Sequence, residues 1–261
     1  GAAGIFQYDW NAFDNDRQTN GSHLFEEAHD WRRQEFDLFV KKEGSFEIAA
    51  GYDFAGHDWV DNYVALEGKA GKFQLGEFRT PVGWESATTS GSANTFIEAG
   101  LPVEMAYEGR RAGLGWTWTG MPHWSLQLAW FVPHDLHHDG AGRTLAARAV
   151  FAPIARDDEV VHLGLAASRE NRDDGTGQVR ARPEAQLTPV RLVDTGTLSH
   201  VDHIARDGLE AAWMNGPLLL QGEYLAMHVA RNAERGFDSH GYYVSASWML
   251  TDESHAYKET A

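Results

Sequence analysis

The chain has 261 residues, no cysteine and a formal net charge of −16. Without cysteine it forms no disulfide and no thiolate metal site, and so acidic a chain lacks the basic footprint that duplex nucleic acid requires. It has no run of about 18 apolar residues, which excludes a membrane-spanning helix, yet aromatic residues make up 12% of it and include ten tryptophans.

Many aromatics without long apolar runs suit alternating strands better than a compact core. The length allows one or two soluble domains or one large β domain. Residues 1–4 (GAAG) carry neither the basic nor the apolar part of a secretion signal. If the protein is exported, this is the mature form.

Period-2 alternation runs along most of the chain. It predicts about twelve strands, over 4–12, 30–42, 45–55, 60–68, 71–79, 109–118, 124–132, 142–152, 159–168, 207–214, 217–229 and 239–250. In the second, Phe36, Leu38 and Val40 share one face; Arg33, Glu35, Asp37 and Lys41 take the other, with Phe39 among them. In the third, Phe46, Ile48, Ala50 and Tyr52 oppose Glu47, Gly51 and Asp53. In the fifth, Phe73 and Leu75 alternate with Lys72 and Gln74 until Thr80-Pro81 breaks the pattern. Leu114, Trp116 and Trp118 then oppose Arg111, and Leu145, Ala147 and Ala149 oppose Arg148. Near the end Leu218, Leu220 and Tyr224 oppose Gln221 and Glu223, and Tyr242, Val244 and Trp248 oppose Tyr243 and Ser245.

Connection lengths add a second signal. Tight links near 43–44, 68–71, 120–123, 153–158 and 215–216 alternate with longer ones near 13–29, 80–108, 133–141, 169–206 and 230–238; the link near 56–59 is the short exception. A soluble sandwich also alternates its faces, but its loops need not sort into tight turns at one end and long loops at the other. An antiparallel up-and-down transmembrane β-barrel accounts for that sorting. Lipid covers its oily face and aromatics sit at the interfaces, strands of about 9–11 residues cross at a tilt, and closure pairs every backbone group.

Several stretches in this frame are similar to one family. Residues 71–79 (GKFQLGEFR) with 81–85 (PVGWE) resemble the strand entering the long third loop of the phosphate-selective porins O and P. Residues 95–102 (TFIEAGLP) and 109–113 (GRRAG) resemble the end of that loop and the next strand; 191–196 (RLVDTG), 208–212 (GLEAA), 216–224 (GPLLLQGEY), 241–244 (GYYV) and 249–253 (MLTDE) resemble later segments, in family order. The resemblance implies a 16-stranded barrel in the outer membrane of a Gram-negative bacterium, usually a homotrimer. Lipid and lipopolysaccharide would surround it, and small anions such as phosphate would pass through it. It implies a third loop folded inward and basic side chains on the lumen wall. About twelve strands are visible and residues 257–261 (YKETA) do not end in the aromatic usual for such barrels. The expectation is one barrel domain over 1–261 that lacks its last four strands.

The expected site is therefore a pore. Residues 80–108 form the candidate constriction loop, with Pro81 and Gly83 turning off the strand, Glu85 following, and Pro102 making the return. Arg33, Lys41, Lys72, Arg111 and Arg148 have the inward parity. Arg79 stands at the strand exit, where it could face the lumen despite its parity, and Arg110 stands at the loop return. Guanidinium forks suit phosphate oxygens better than ammonium groups do. The same charges could instead pair with Glu35, Asp37, Glu47 and Asp53, leaving a general pore. His134, His137 and His138 with Asp135 and Asp139 read as an external loop rather than a metal site, and Asp194-Thr195-Gly196 is too short a match to an aspartic-protease motif to carry catalysis. No cofactor, metal or enzymatic role is expected. The alternatives are a barrel whose long loops bind a partner or surface, and an outer-membrane enzyme with its site at the barrel mouth.

Overall fold

The computed structural model describes residues 1–14, 25–85, 95–136, 140–251, 253, 255 and 257. The chain opens with β1 (Ala2–Asn11), β2 (Ala28–Lys42), β3 (Phe46–Asp53), the two-residue β4 (Asp58–Trp59), β5 (Asn62–Gly68) and β6 (Gly71–Arg79). One helix, α1 (Leu101–Ala106), precedes β7 (Arg110–Met121), β8 (Trp124–Phe131), β9 (Thr144–Ala155) and β10 (Glu159–Asn171). Four two-residue strands follow: β11 (Thr176–Gly177), β12 (Arg180–Ala181), β13 (Val193–Asp194) and β14 (Leu198–Ser199). The chain then completes β15 (Val201–Asn215), β16 (Leu218–Arg231) and β17 (Phe237–Trp248).

The twelve long strands pair antiparallel in the order β1-β2-β3-β5-β6-β7-β8-β9-β10-β15-β16-β17, an up-and-down meander with β4 attached to β3. Among the described residues no ladder joins β1 to β17. Each long strand matches a predicted segment, and 71–79 and β6 coincide. The largest boundary difference is β15, expected from 207 and found from Val201. Its first part carries Asp202, Arg206 and Asp207 and no apolar stripe, so the period-2 signal fails where the strand runs on. The expected loop 169–206 also holds two short ladders, β11 with β14 and β12 with β13. Pro102 is not a return turn as expected but lies in the first turn of α1, where its missing N–H costs nothing and its fixed φ suits a helix start.

One face of the sheet is a continuous apolar surface. Leu75 pairs with Leu114, Leu114 with Trp130, and Trp130 with Leu145; all four are exposed. Trp10, Trp31 and Trp59 lie toward the long-loop end of this face, and Trp124, Trp213 and Trp248 toward the tight-turn end. An aromatic belt at each end of an apolar band is the pattern of a wall that faces lipid. The opposite, inner face carries the charged side chains and the packed loops.

Gly76 explains an exception to the alternation. Its φ is +133°, a conformation that a side chain strains to adopt. Beyond it Glu77 and Phe78 are both buried, and Arg79 reaches the inner cavity although Phe73 and Leu75 on its parity face outward. A Cβ on Gly76 would stand 2.3 Å from the carbonyl oxygen of Asn62. Gly76→Ala is therefore expected to destabilise the barrel by about 1–3 kcal/mol, read as a lower urea midpoint in lipid vesicles.

Candidate pore lining and constriction loop

The two described arms of 80–108 lie against the inner faces of β10 and β15–β17. They meet at their base, where the Thr80 N–H donates to the Gly109 carbonyl at 3.2 Å. Gly83, with φ +78°, allows the turn that aims Trp84 and Glu85 at the wall. The Trp84 ring lies tilted against His162 with centroids 4.2 Å apart and packs with Val160, Ala212, Met214 and Leu219. The Trp84 backbone N–H donates to Glu223 Oε2 at 2.8 Å, and the Glu85 backbone N–H donates to Glu223 Oε1 at 3.0 Å.

The returning arm is held by different means. The Gly100 N–H donates to Glu85 Oε2 at 3.2 Å. Val103, Met105 and Ala106 of α1 are buried, with Val103 and Ala106 against Leu225 and Met105 beside Met227 and Val229. The Leu101 N–H donates to Glu184 and the Arg182 guanidinium to Glu104, at 3.1 and 3.0 Å, so the β11–β14 excursion also clasps α1. Burial pushes the Glu85 carboxyl above its usual range; the Gly100 N–H opposes that rise and the Glu184 charge adds to it.

Further along the inner face lies a buried charge network. Arg111, 2% exposed, donates to Asp135 at 3.0 Å, to Glu108 at 3.4 Å and to the Gly142 carbonyl at 2.8 Å. Arg206 pairs with Glu170 at 3.0 Å and with Glu108 at 3.5 Å, and Arg172 with Glu170 at 2.7 Å. Nearer the tight turns Arg148 pairs with Glu210, which also bonds His162 at 2.9 Å. His162 in turn bonds the Tyr257 hydroxyl at 2.9 Å.

A cavity of about 830 Å³ remains between the returning arm and the inner face of β1–β7. Five arginines line it, Arg32, Arg33, Arg79, Arg110 and Arg182. Ten carboxylates line it too: Glu35, Asp37, Glu47, Asp53, Asp58, Asp61, Glu85, Glu98, Glu104 and Glu184. Arg32 pairs with Glu98, Arg110 with Asp61 and Arg182 with Glu104, at 3.3, 3.0 and 3.0 Å. Arg33 makes no ion pair among the described residues and lies within electrostatic reach of Arg32, Arg79, Glu98 and Glu35.

The expected basic residues thus separate into three groups. Arg33, Arg79 and Arg110 line the cavity. Lys72 donates to Glu47 at 2.9 Å, with Lys41 4.0 Å from the same carboxylate, near the tight turns. Arg111 and Arg148 have the inward parity but are buried in ion pairs, away from the cavity. Of the loop residues, Pro81, Gly83 and Glu85 are buried on the wall. Asp135 is taken by Arg111, while His137, His138 and Asp139 lie outside the described residues. Asp194 accepts the Gly196 N–H and a Gln178 N–H in a turn of the long excursion. Sequence reasoning missed Glu108, Glu170, Arg206 and Glu210 as network members, and Glu223 as a ligand of the loop. Inward parity marks Glu210 and Glu223, whereas Glu170 and Arg206 fall in the stretch 169–206 expected to be a loop, and nothing linear names the partners of any of them.

The sequence pattern of the phosphate-selective porin O and P family matches residues 2–261. Porin O of Pseudomonas aeruginosa is 26% identical over 209 residues, which are 71% of this chain and 48% of that porin. The chain therefore spans about half the length of that relative. Among solved structures, the in-vitro folded trimer form of the outer-membrane protein OmpT of Vibrio cholerae superimposes with a TM-score of 0.56 at 11% identity, over 95% of this chain and 73% of that one. The anion-selective porin from Comamonas acidovorans gives 0.54 at 13% identity, over 96% and 74%.

Proposed function

The chain belongs to the phosphate-selective porin O and P family of the bacterial outer membrane, a family of channel proteins rather than enzymes, and from that premise we propose that it forms a pore for passive diffusion of small hydrophilic solutes and ions. Its carrying observation is the charged cavity left between the returning arm of 80–108 and the strand wall. Residues 80–108 act as the constriction, and the apolar outer face meets lipid and the acyl part of lipopolysaccharide. Three such barrels assemble, as the trimeric OmpT neighbour suggests.

Anions, phosphate among them, are guided by Arg33, Arg79 and Arg110, the expected basic side chains at the cavity. The family and the anion-selective neighbour support this reading. Passage needs attraction weak enough to release the ion, and the acids interleaved with these arginines keep it weak. Arg33→Ala with Arg79→Ala is expected to move the reversal potential under a KCl gradient by several millivolts toward the cation side. An unchanged potential would remove those two arginines from the ion path.

A second reading follows from the charge count. Ten carboxylates against five arginines make a cavity that favours cations. The sign of the wild-type reversal potential, with phosphate titrated in, decides between the two. A cation sign without phosphate block keeps the pore and rejects the phosphate role.

A further inference from the structure

Glu223 is an unusual group to bury. It is 4% exposed, and no ion pair to it exists among the described residues. Its three hydrogen-bond donors are the N–H groups of Trp84 and Glu85 and the Tyr243 hydroxyl, at 2.8, 3.0 and 2.8 Å. Two consecutive backbone N–H groups closing on one carboxylate make a small anion receptor, here built by the outgoing arm of the loop. The Glu85 carboxylate in turn accepts the Gly100 N–H of the returning arm. The wall is shaped for that arm as well: a Cβ on Gly241 would come within 3.0 Å of Pro102.

We propose that Glu223 is the positioning residue of the constriction. Its carboxylate fixes the outgoing arm to β16, and through Glu85 it fixes the start of α1, so one side chain sets how far the loop stands from the opposite wall. Packing alone would be served as well by a neutral side chain. What a carboxylate adds is two lone-pair-rich oxygens for three donors, whereas an amide turns one of those oxygens into a competing N–H donor. The proposal rests on reading 80–108 as the constriction.

The test uses the absence of cysteine in the chain. A spin label at Ala99→Cys, on the returning arm, reports loop mobility by electron paramagnetic resonance in lipid vesicles, and planar bilayers report single-channel conductance. Glu223→Gln is expected to mobilise the label and to raise conductance about twofold with more open-channel noise. If that variant does not insert, Tyr243→Phe, which removes one donor of three, is expected to shift both readouts in the same direction by less. A label equally immobile and a conductance unchanged in the variant that inserts would overturn the proposal. A label set free by the substitution, in a protein that conducts nothing before or after it, would uphold the anchor and reject the pore instead.

Discussion

Arg111→Met is expected to cost the folded barrel roughly 3–5 kcal/mol while leaving the reversal potential where it was. The guanidinium serves Asp135, Glu108 and two backbone carbonyls in a buried site. Removing it strands buried carboxylates, and that uncompensated charge is the expensive part. Asp135 loses its cation outright; Glu108 and Glu170 keep Arg206. Urea unfolding followed by tryptophan fluorescence in lipid vesicles measures the loss, and a bilayer recording on the same preparation measures selectivity. Unchanged stability with a potential moved toward cations would place Arg111 in the water-filled path.

The second large effect is expected on the opposite face. Leu114→Arg puts a charge in the apolar row between Leu75 and Trp130, where an arginine near the bilayer midplane costs about 2–4 kcal/mol. Gln74→Arg, one position from Leu75 on the inner face, is expected to cost under about 1 kcal/mol, since lumen positions tune selectivity rather than stability. Equal costs at the two positions, read from urea midpoints, would refute the assignment of the two faces.

The two faces were legible in the sequence because a lipid-facing wall must be apolar at every second residue, and the signal fades where that demand ends. β6 shows both cases. Phe73 and Leu75 betray their orientation, whereas Glu77 and Arg79 depart from it through the backbone at Gly76, and a glycine reads the same whether or not it redirects a strand. α1 was hidden for another reason. Six residues are too few for a helical period, and its stability comes from Leu225, Met227 and Arg182, which lie far along the chain. The cations were legible as inward-facing but not as wet or dry. Parity assigns Arg33 and Arg148 to the same side of the sheet; only the acids of β10 and β15, and the loop laid over them, make one a solvated wall charge and the other an internal strut.

The described arms of the loop also set the charged cavity to one side of the wall. Packed side chains cover the inner face of β10, β15 and β16, and the cavity beside the returning arm lies against β1–β7. On the proposed pore reading, a solute in this cavity would meet the strand wall of β1–β7 on one side and the returning arm with Arg182 and Glu184 on the other. Charge on that wall, Arg32 with its Glu98 partner on the returning arm apart, can be rewritten to change what passes without touching the Glu223 receptor, which is encoded downstream. If the cavity is the ion path, its strand wall is the filter and the loop-bearing wall of β10 and β15–β17 the frame, and residues 1–79 together with Arg110 are the unit to exchange between relatives to move selectivity from one barrel to another.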